Sequence, residues 1–175
     1  MTVTTAHTAD VAVATLAAAK SLLEAAFEDW TEADWEHSLG GIHALAWEDG
    51  ELVGQGSLVQ RRLLHRGRAL RAGYLEGLAV RADRRGRGHG AALVAALERA
   101  IRSAYDLGAL SVTDAAVGLY VARGWEPWRG TTAVLAPEGI VRTPEDDGGV
   151  YVLRAAVDLD LDAELACDWR DGDVW

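Results

Sequence analysis

The chain has 175 residues, half of them apolar, and a net charge of −10, which fits one folded domain with a sizeable core and excludes a disordered chain. No apolar run approaches the roughly 20 residues that cross a bilayer, and the first twenty residues lack a basic start, so a cytoplasmic protein without membrane contact is expected. Cys167 is the only cysteine, which excludes an internal disulfide and a Cys-rich metal site.

The first predicted element is an amphipathic helix, with Leu16, Leu22, Leu23, Ala26, Phe27 and Trp30 at helical spacing. Thr31 with Asp34 three residues on is a relative of the capping box and opens a second, short helix. "IHALAW", the turn "EDGE" and "LVGQGSLVQRRLL" predict a β-hairpin turning at Asp49-Gly50. "ALRAGYLEGLAV" is a further strand, with Gly73 and Gly77 as bulge points. A Gly-rich loop follows, then a helix over "GAALVAALERAIRSAYDLG". "ALSVT" is a short strand, "DAAVGLYVARG" a helix stopped by Gly124, and "TAVLA" and "GVYVLRAAV" are the last strands. This order predicts an α/β (α+β) fold, a mixed central β-sheet flanked by helices.

Charge is unevenly distributed. Residues 24–51 hold nine acids and no Lys or Arg, and residues 145–175 hold ten acids against Arg154 and Arg170. Between them, residues 61–102 hold eleven arginines against Glu76, Asp83 and Glu98, a net of +8. A basic middle suits an anionic ligand and acidic flanks suit a cationic one. The acidic blocks would repel phosphate chains, so nucleic-acid binding is not expected.

"LAVRADRRGRGHGAAL" carries the most chemistry. Arg85, Gly88 and Gly90 form R-x-x-G-x-G between a strand and a helix, which turns backbone amides and a helix N-terminus toward one point. Arg81, Arg84, Arg85 and Arg87 are expected to add charge around this anion cradle. A Walker loop is excluded because no Gly-Lys-Ser/Thr follows, and the Rossmann spacing does not fit.

With "LYVARGW" some thirty residues later, this stretch resembles the GCN5-related N-acetyltransferases. The resemblance implies that acetyl-CoA is the cosubstrate, with its pyrophosphate on Arg85, Gly86, Arg87, Gly88, His89 and Gly90. It also implies that the pantetheine arm pairs with Leu78, Ala79 and Val80, and that Tyr120 protonates the leaving thiolate. Ser111 is a further polar candidate beside the cofactor. Glu76 lies just before Gly77, and the resemblance implies that it removes the amine proton through a water. Amides near Gly77 and Leu78 are expected to polarise the thioester carbonyl.

Segments from about residue 27 onward, above all "AELACDWRDGDVW", resemble more narrowly the aminoglycoside 2′-N-acetyltransferases. That likeness implies resistance by acetylation of a cationic aminoglycoside or amino-sugar acceptor. The acceptor is expected on Asp34, Glu76, Gly77, Asp146, Asp173 and the carboxylate of Trp175. One departure is Glu145, where aspartate is the family's residue. The chain is expected to be a single acetyltransferase domain, 1–175, whose tail (about 160–175) folds into the acceptor site, anchored by Trp169 and Trp175. A tail that merely docks on the core is the alternative. So is a native polyamine, amino sugar or cell-wall precursor as acceptor, or a non-catalytic acyl-CoA-binding module. Family habit implies a homodimer. His37, His43 and Cys167 are read as structural and no metal is expected, because no ligand spacing joins them.

Overall fold

The computed structural model describes residues 1–175, and the backbone groups into two compact units. The first comprises Met1–Val59 and Leu75–Arg99, the second Gln60–Tyr74 and Ala100–Trp175.

The first unit opens with β1 (Thr2–His7), which pairs antiparallel with β2 (Ile42–Glu48) from Thr2↔Trp47 to His7↔Ile42. Strand β1 is a mostly exposed, Thr-rich run with no apolar face to mark it in the sequence. Helix α1 (Val13–Glu24) is Ala-rich and buries Ala19 and Leu23 against Trp35 and Ala79. It ends before the predicted Ala26, Phe27 and Trp30. Glu28 and Asp29 would lie at the negative end of a longer helix dipole, and Phe27 stays exposed. Helix α2 (Glu32–His37) starts at the predicted capping box: Asp34 Oδ2 accepts from Thr31 N (2.7 Å) and Thr31 Oγ1 (2.9 Å).

Strands β2 and β3 (Glu51–His65) form the predicted hairpin, and Asp49 and Gly50 both take positive φ (52° and 82°) as its two-residue turn demands. Strand β4 is Arg68–Val80 and helix α3 is His89–Ala104. In β3, Gly54 and Gly56 leave room for α3: a Cβ on them would stand 3.1 Å from Leu93 Cδ1 and 3.5 Å from Leu97 Cδ1. Gly77, one of the expected bulge points, takes φ 52° within the continuous strand β4. Gly73 is no bulge; it stays in register opposite Gly108 of the parallel strand β5 (Leu107–Ser111).

In the second unit β5 also pairs antiparallel with β9 (Val150–Arg154), which carries the two-residue strand β6 (Glu126–Pro127) at its far side. Helix α3 stops at Ala104, short of its predicted end, because Asp106 is drawn to β4 by backbone bonds to Arg71 (2.8 Å). Helix α4 is only Val117–Val121, after a 3-10 turn. It closes as predicted at Gly124 (φ 87°), with Gly124 N on Val121 O and Trp125 N on Tyr120 O, a Schellman arrangement. Strand β10 (Leu165–Asp168) lies antiparallel to β3 and parallel to β7 (Thr132–Ala136), and β8 (Gly139–Arg142) pairs with β7. Trp125 and Trp128 are fully buried here, Trp128 donating its indole N–H to Ala163 O (2.9 Å). The architecture is the predicted mixed sheet with helices. No helix is long and apolar enough to cross a membrane.

Candidate active site

The Gly-rich loop belongs to the first unit. After β4 ends at Val80, Arg81 N returns to Val53 O (2.9 Å) and residues 82–84 make one 3-10 turn. Gly86 and Gly88 then take φ values of 74° and 86°, and a Cβ on either would meet nothing within 4 Å. The first helical bond is Ala92 N to Gly88 O (3.0 Å), so the amides ahead of it have no intrahelical acceptor. Left-handed glycines beside a helix N-terminus, with open space where side chains would stand, fit an anionic pyrophosphate.

The arginines are less available than their count suggests. Arg81 is tied to Asp83 (2.7 Å) and Glu51 (3.0 Å), and Arg84 to Glu48 (2.8 Å) and Asp83 (3.3 Å). The bond to Arg81 holds the Asp83 carboxyl below its usual range. Arg87 lies 3.9 Å from Glu48, and Arg85 donates its Nε to Val80 O (3.1 Å); both remain exposed. The His89 side chain does not line the loop: it is 2% exposed, with Nδ1 2.8 Å from Met1 Sδ, so only its amide can serve an anion.

Upstream on β4, Leu78 and Val80 are half-buried and Ala79 is buried. Glu76 is half-buried beside Gly77. The Gly77 carbonyl accepts from Gln55 Nε2, and a Cβ at Gly77 would crowd Ser38 Oγ (2.8 Å) and Leu23 Cδ1 (3.0 Å). Ser38 Oγ, which packs close to Gly77, donates to Asp34 O (3.1 Å). One carboxylate oxygen of Asp34 is committed to its helix cap. Gln55 is fully buried and belongs to a polar chain through Ser57 (3.5 Å) and His43 (3.2 Å) to Thr8 (2.9 Å). Burial lowers the His43 pKa, favouring the neutral ring. Gln55 and Gly77 are 22 residues apart, so no local pattern marks the place of Gln55 under Gly77.

In the second unit, Tyr120 is 5% exposed on α4 and meets Trp125 edge-on with centroids 5.7 Å apart. Burial alone pushes its phenol well above the usual tyrosine value, so the hydroxyl is protonated at working pH. Ser111 is exposed at the end of β5, opposite Val150 of β9.

The acidic residues of this unit divide by role. Asp147 braces the strand: it accepts from Thr132 N (2.8 Å), Thr132 Oγ1 (2.9 Å) and Arg142 (2.7 Å), which hold its carboxyl low. Asp146, in the 3-10 turn Pro144–Asp146, is shifted upward, first by burial and then by the charge of Asp173. The fold thus brings Asp146 under the influence of Asp173. The tail folds back after β10. Trp175 is 3% exposed and donates its indole N–H to Thr143 Oγ1 (3.0 Å), next to the turn that bears Asp146. Its backbone oxygen accepts from Arg170 Nη2 (3.2 Å), and Asp173 O from Arg170 Nε (2.7 Å). Trp169 was expected as a second anchor but is 51% exposed; β10 ends at Asp168 and the chain turns outward there. His37, His43 and Cys167 join no group of three or more His, Cys, Asp or Glu that could hold a metal.

A profile of the Acetyltransferase (GNAT) family matches residues 12–125, the stretch that contains the loop, Glu76 and Tyr120. The chain belongs to the GNAT acetyltransferase family. An aminoglycoside 2′-N-acetyltransferase of Mycolicibacterium fortuitum is 52% identical over 97% of this chain and 89% of its own length. Among solved structures, the GNAT N-acetyltransferase YhbS of Escherichia coli, in complex with CoA, superposes with a TM-score of 0.67 at 19% identity. That match covers 94% of this chain and 88% of YhbS. Eis1 of Mycobacterium abscessus matches with a TM-score of 0.62 at 17% identity, over 76% of this chain and only 33% of that longer protein. These two likenesses establish the GNAT fold.

Proposed function

We propose that this GNAT enzyme transfers acetyl from acetyl-CoA to the 2′-amine of aminoglycoside antibiotics, conferring resistance by removing one positive charge. The observation that carries this reading is the 52% identity, over 97% of the chain, to a protein of that activity. The acidic 145–175 block agrees with a polycationic acceptor.

Bound acetyl-CoA supplies a thioester carbon that the amine attacks. The Gly86–Gly90 amides hold the pyrophosphate and the Leu78–Val80 backbone receives the pantetheine arm as an added strand. Glu76 takes the amine proton through a water, while amides at Gly77 and Leu78 polarise the carbonyl. Asp34, Asp146 and Asp173, with the carboxylate of Trp175, hold the remaining ammonium groups. The C–N bond forms as the C–S bond breaks, and the sulfur leaves as a thiolate that takes its proton from solvent. Acetyl-CoA as donor agrees with a cytoplasmic enzyme, and a homodimer is the assembly to check by light scattering.

Tyr120 serves the departing sulfur. A thiol titrates near about 8.5, below the raised phenol, so full proton transfer from Tyr120 is uphill and its hydroxyl acts as a hydrogen-bond donor. Tyr120→Phe is therefore expected to lower kcat by about tenfold, below the usual general-acid range, with unchanged acceptor KM in steady-state assays. Gly88→Asp places a carboxylate where the pyrophosphate approaches, and should raise the acetyl-CoA Kd by about tenfold or more by calorimetry. Unchanged affinity in a folded variant would remove the loop from the site.

A native polyamine as acceptor has no observation of its own on its side. Thiol release from acetyl-CoA with an aminoglycoside, compared with spermidine, separates the two. Faster turnover on spermidine would replace the proposed acceptor.

A further inference from the structure

We propose that Arg61 is a positioning residue for acceptor binding, locking the C-terminal segment in its bound shape before any acceptor arrives. This rests on the reading of Asp146, Asp173 and Trp175 as acceptor groups. The Arg61 side chain is 4% exposed, and its guanidinium is spent on the tail. Nε donates to Asp168 Oδ1 (2.8 Å), Nη2 to Asp168 O (2.8 Å) and Nη1 to Val174 O (2.7 Å). The other Asp168 oxygen accepts from Arg62 N (3.1 Å). One side chain thus grips residues 168 and 174, the two ends of the loop that carries Asp173.

A second guanidinium works from inside the loop. Arg170 bonds Asp173 O and Trp175 O, and the Tyr74 ring lies 4.8 Å from the Arg61 guanidinium and 5.6 Å from that of Arg170. Cys167 adds an S–H bond to Val174 O (3.2 Å). Burying a cation is costly, and an apolar side chain would pack the same space more cheaply. What the guanidinium adds is direction: three rigidly related donors that a lysine cannot reproduce. Closing the loop in advance spares the acceptor the entropy of ordering it.

The test uses the full chain as Arg61→Lys, with Arg170→Gln as a second variant that leaves the core untouched and Asp173→Asn as reference. Steady-state kinetics with an aminoglycoside are combined with amide hydrogen exchange over residues 169–175. Arg61→Lys is expected to raise acceptor KM by about tenfold, with acetyl-CoA KM and kcat within about threefold, and to speed exchange of the tail amides. Arg170→Gln should act in the same direction, more weakly. Wild-type acceptor KM in Arg61→Lys with faster tail exchange overturns the proposal, because tail order would not govern binding. A raised KM in Arg61→Lys with wild-type KM in Asp173→Asn supports it, and contradicts instead the assignment of Asp173.

Discussion

Glu76→Gln is expected to lower kcat/KM for the acceptor by about two to three orders of magnitude at neutral pH, within the range that a positioned base contributes. The isosteric amide keeps the hydrogen-bonding shape of the side chain and cannot take a proton. At neutral pH an aminoglycoside amine is largely protonated, so the enzyme must remove the proton. As pH rises the amine loses it to solvent, and the deficit of the variant should shrink. A parallel drop at every pH would mean that Glu76 only binds the acceptor; wild-type turnover would remove it from the chemistry. Glu76 is half-buried and glutamine has the same size and shape, so the variant should fold normally.

Trp175→Ala should be the most damaging change in the tail. The indole is buried and bonded to Thr143 Oγ1, and Thr143 is itself bonded to Thr132 Oγ1 (3.0 Å). Truncating a buried Trp costs about 3–5 kcal/mol in a closed core. Here the segment can undock locally, so much of that cost should appear as release of residues 169–175 and loosening of the Asp146 turn. Acceptor KM is expected to rise by about tenfold or more with little change for acetyl-CoA. Trp175→Phe, which keeps the apolar plug and loses the N–H, should fall between. Trp169→Ala should change little, since that ring is exposed. Normal acceptor kinetics in Trp175→Ala would leave the tail as packing alone.

What the sequence made legible was local. The Thr31–Asp34 cap, the Asp49-Gly50 turn, the left-handed glycines at 77, 86, 88 and 124 and the α3 helix each depend on residues a few positions apart. What it hid was set by partners far along the chain. Arg81 and Arg84 looked like free charge for an anion until Glu48 and Glu51 of the β2–β3 hairpin claimed them. Sequence neighbours say nothing of where the His89 ring goes: it is buried beside Met1, 88 residues away. Trp169 and Trp175 are indistinguishable by composition; the strand end at Asp168 and the hydrogen bond to Thr143 go with which one is buried. Arg61 gave no local signal, because its partners lie 107 and 113 residues on. Strands β1, β8 and β10 were missed for the same reason: short or half-polar strands are defined by the neighbour they pair with.

The central claim is transfer to a 2′-amine, and the most direct test compares two aminoglycosides that differ there. Kanamycin B carries an amine at the 2′ position and kanamycin A a hydroxyl. With purified protein and acetyl-CoA, the account predicts steady thiol release with kanamycin B, a monoacetylated product bearing the acetyl on the 2′ nitrogen by NMR, and no release above background with kanamycin A. Equal turnover of the two, or acetyl on any other nitrogen, would contradict it.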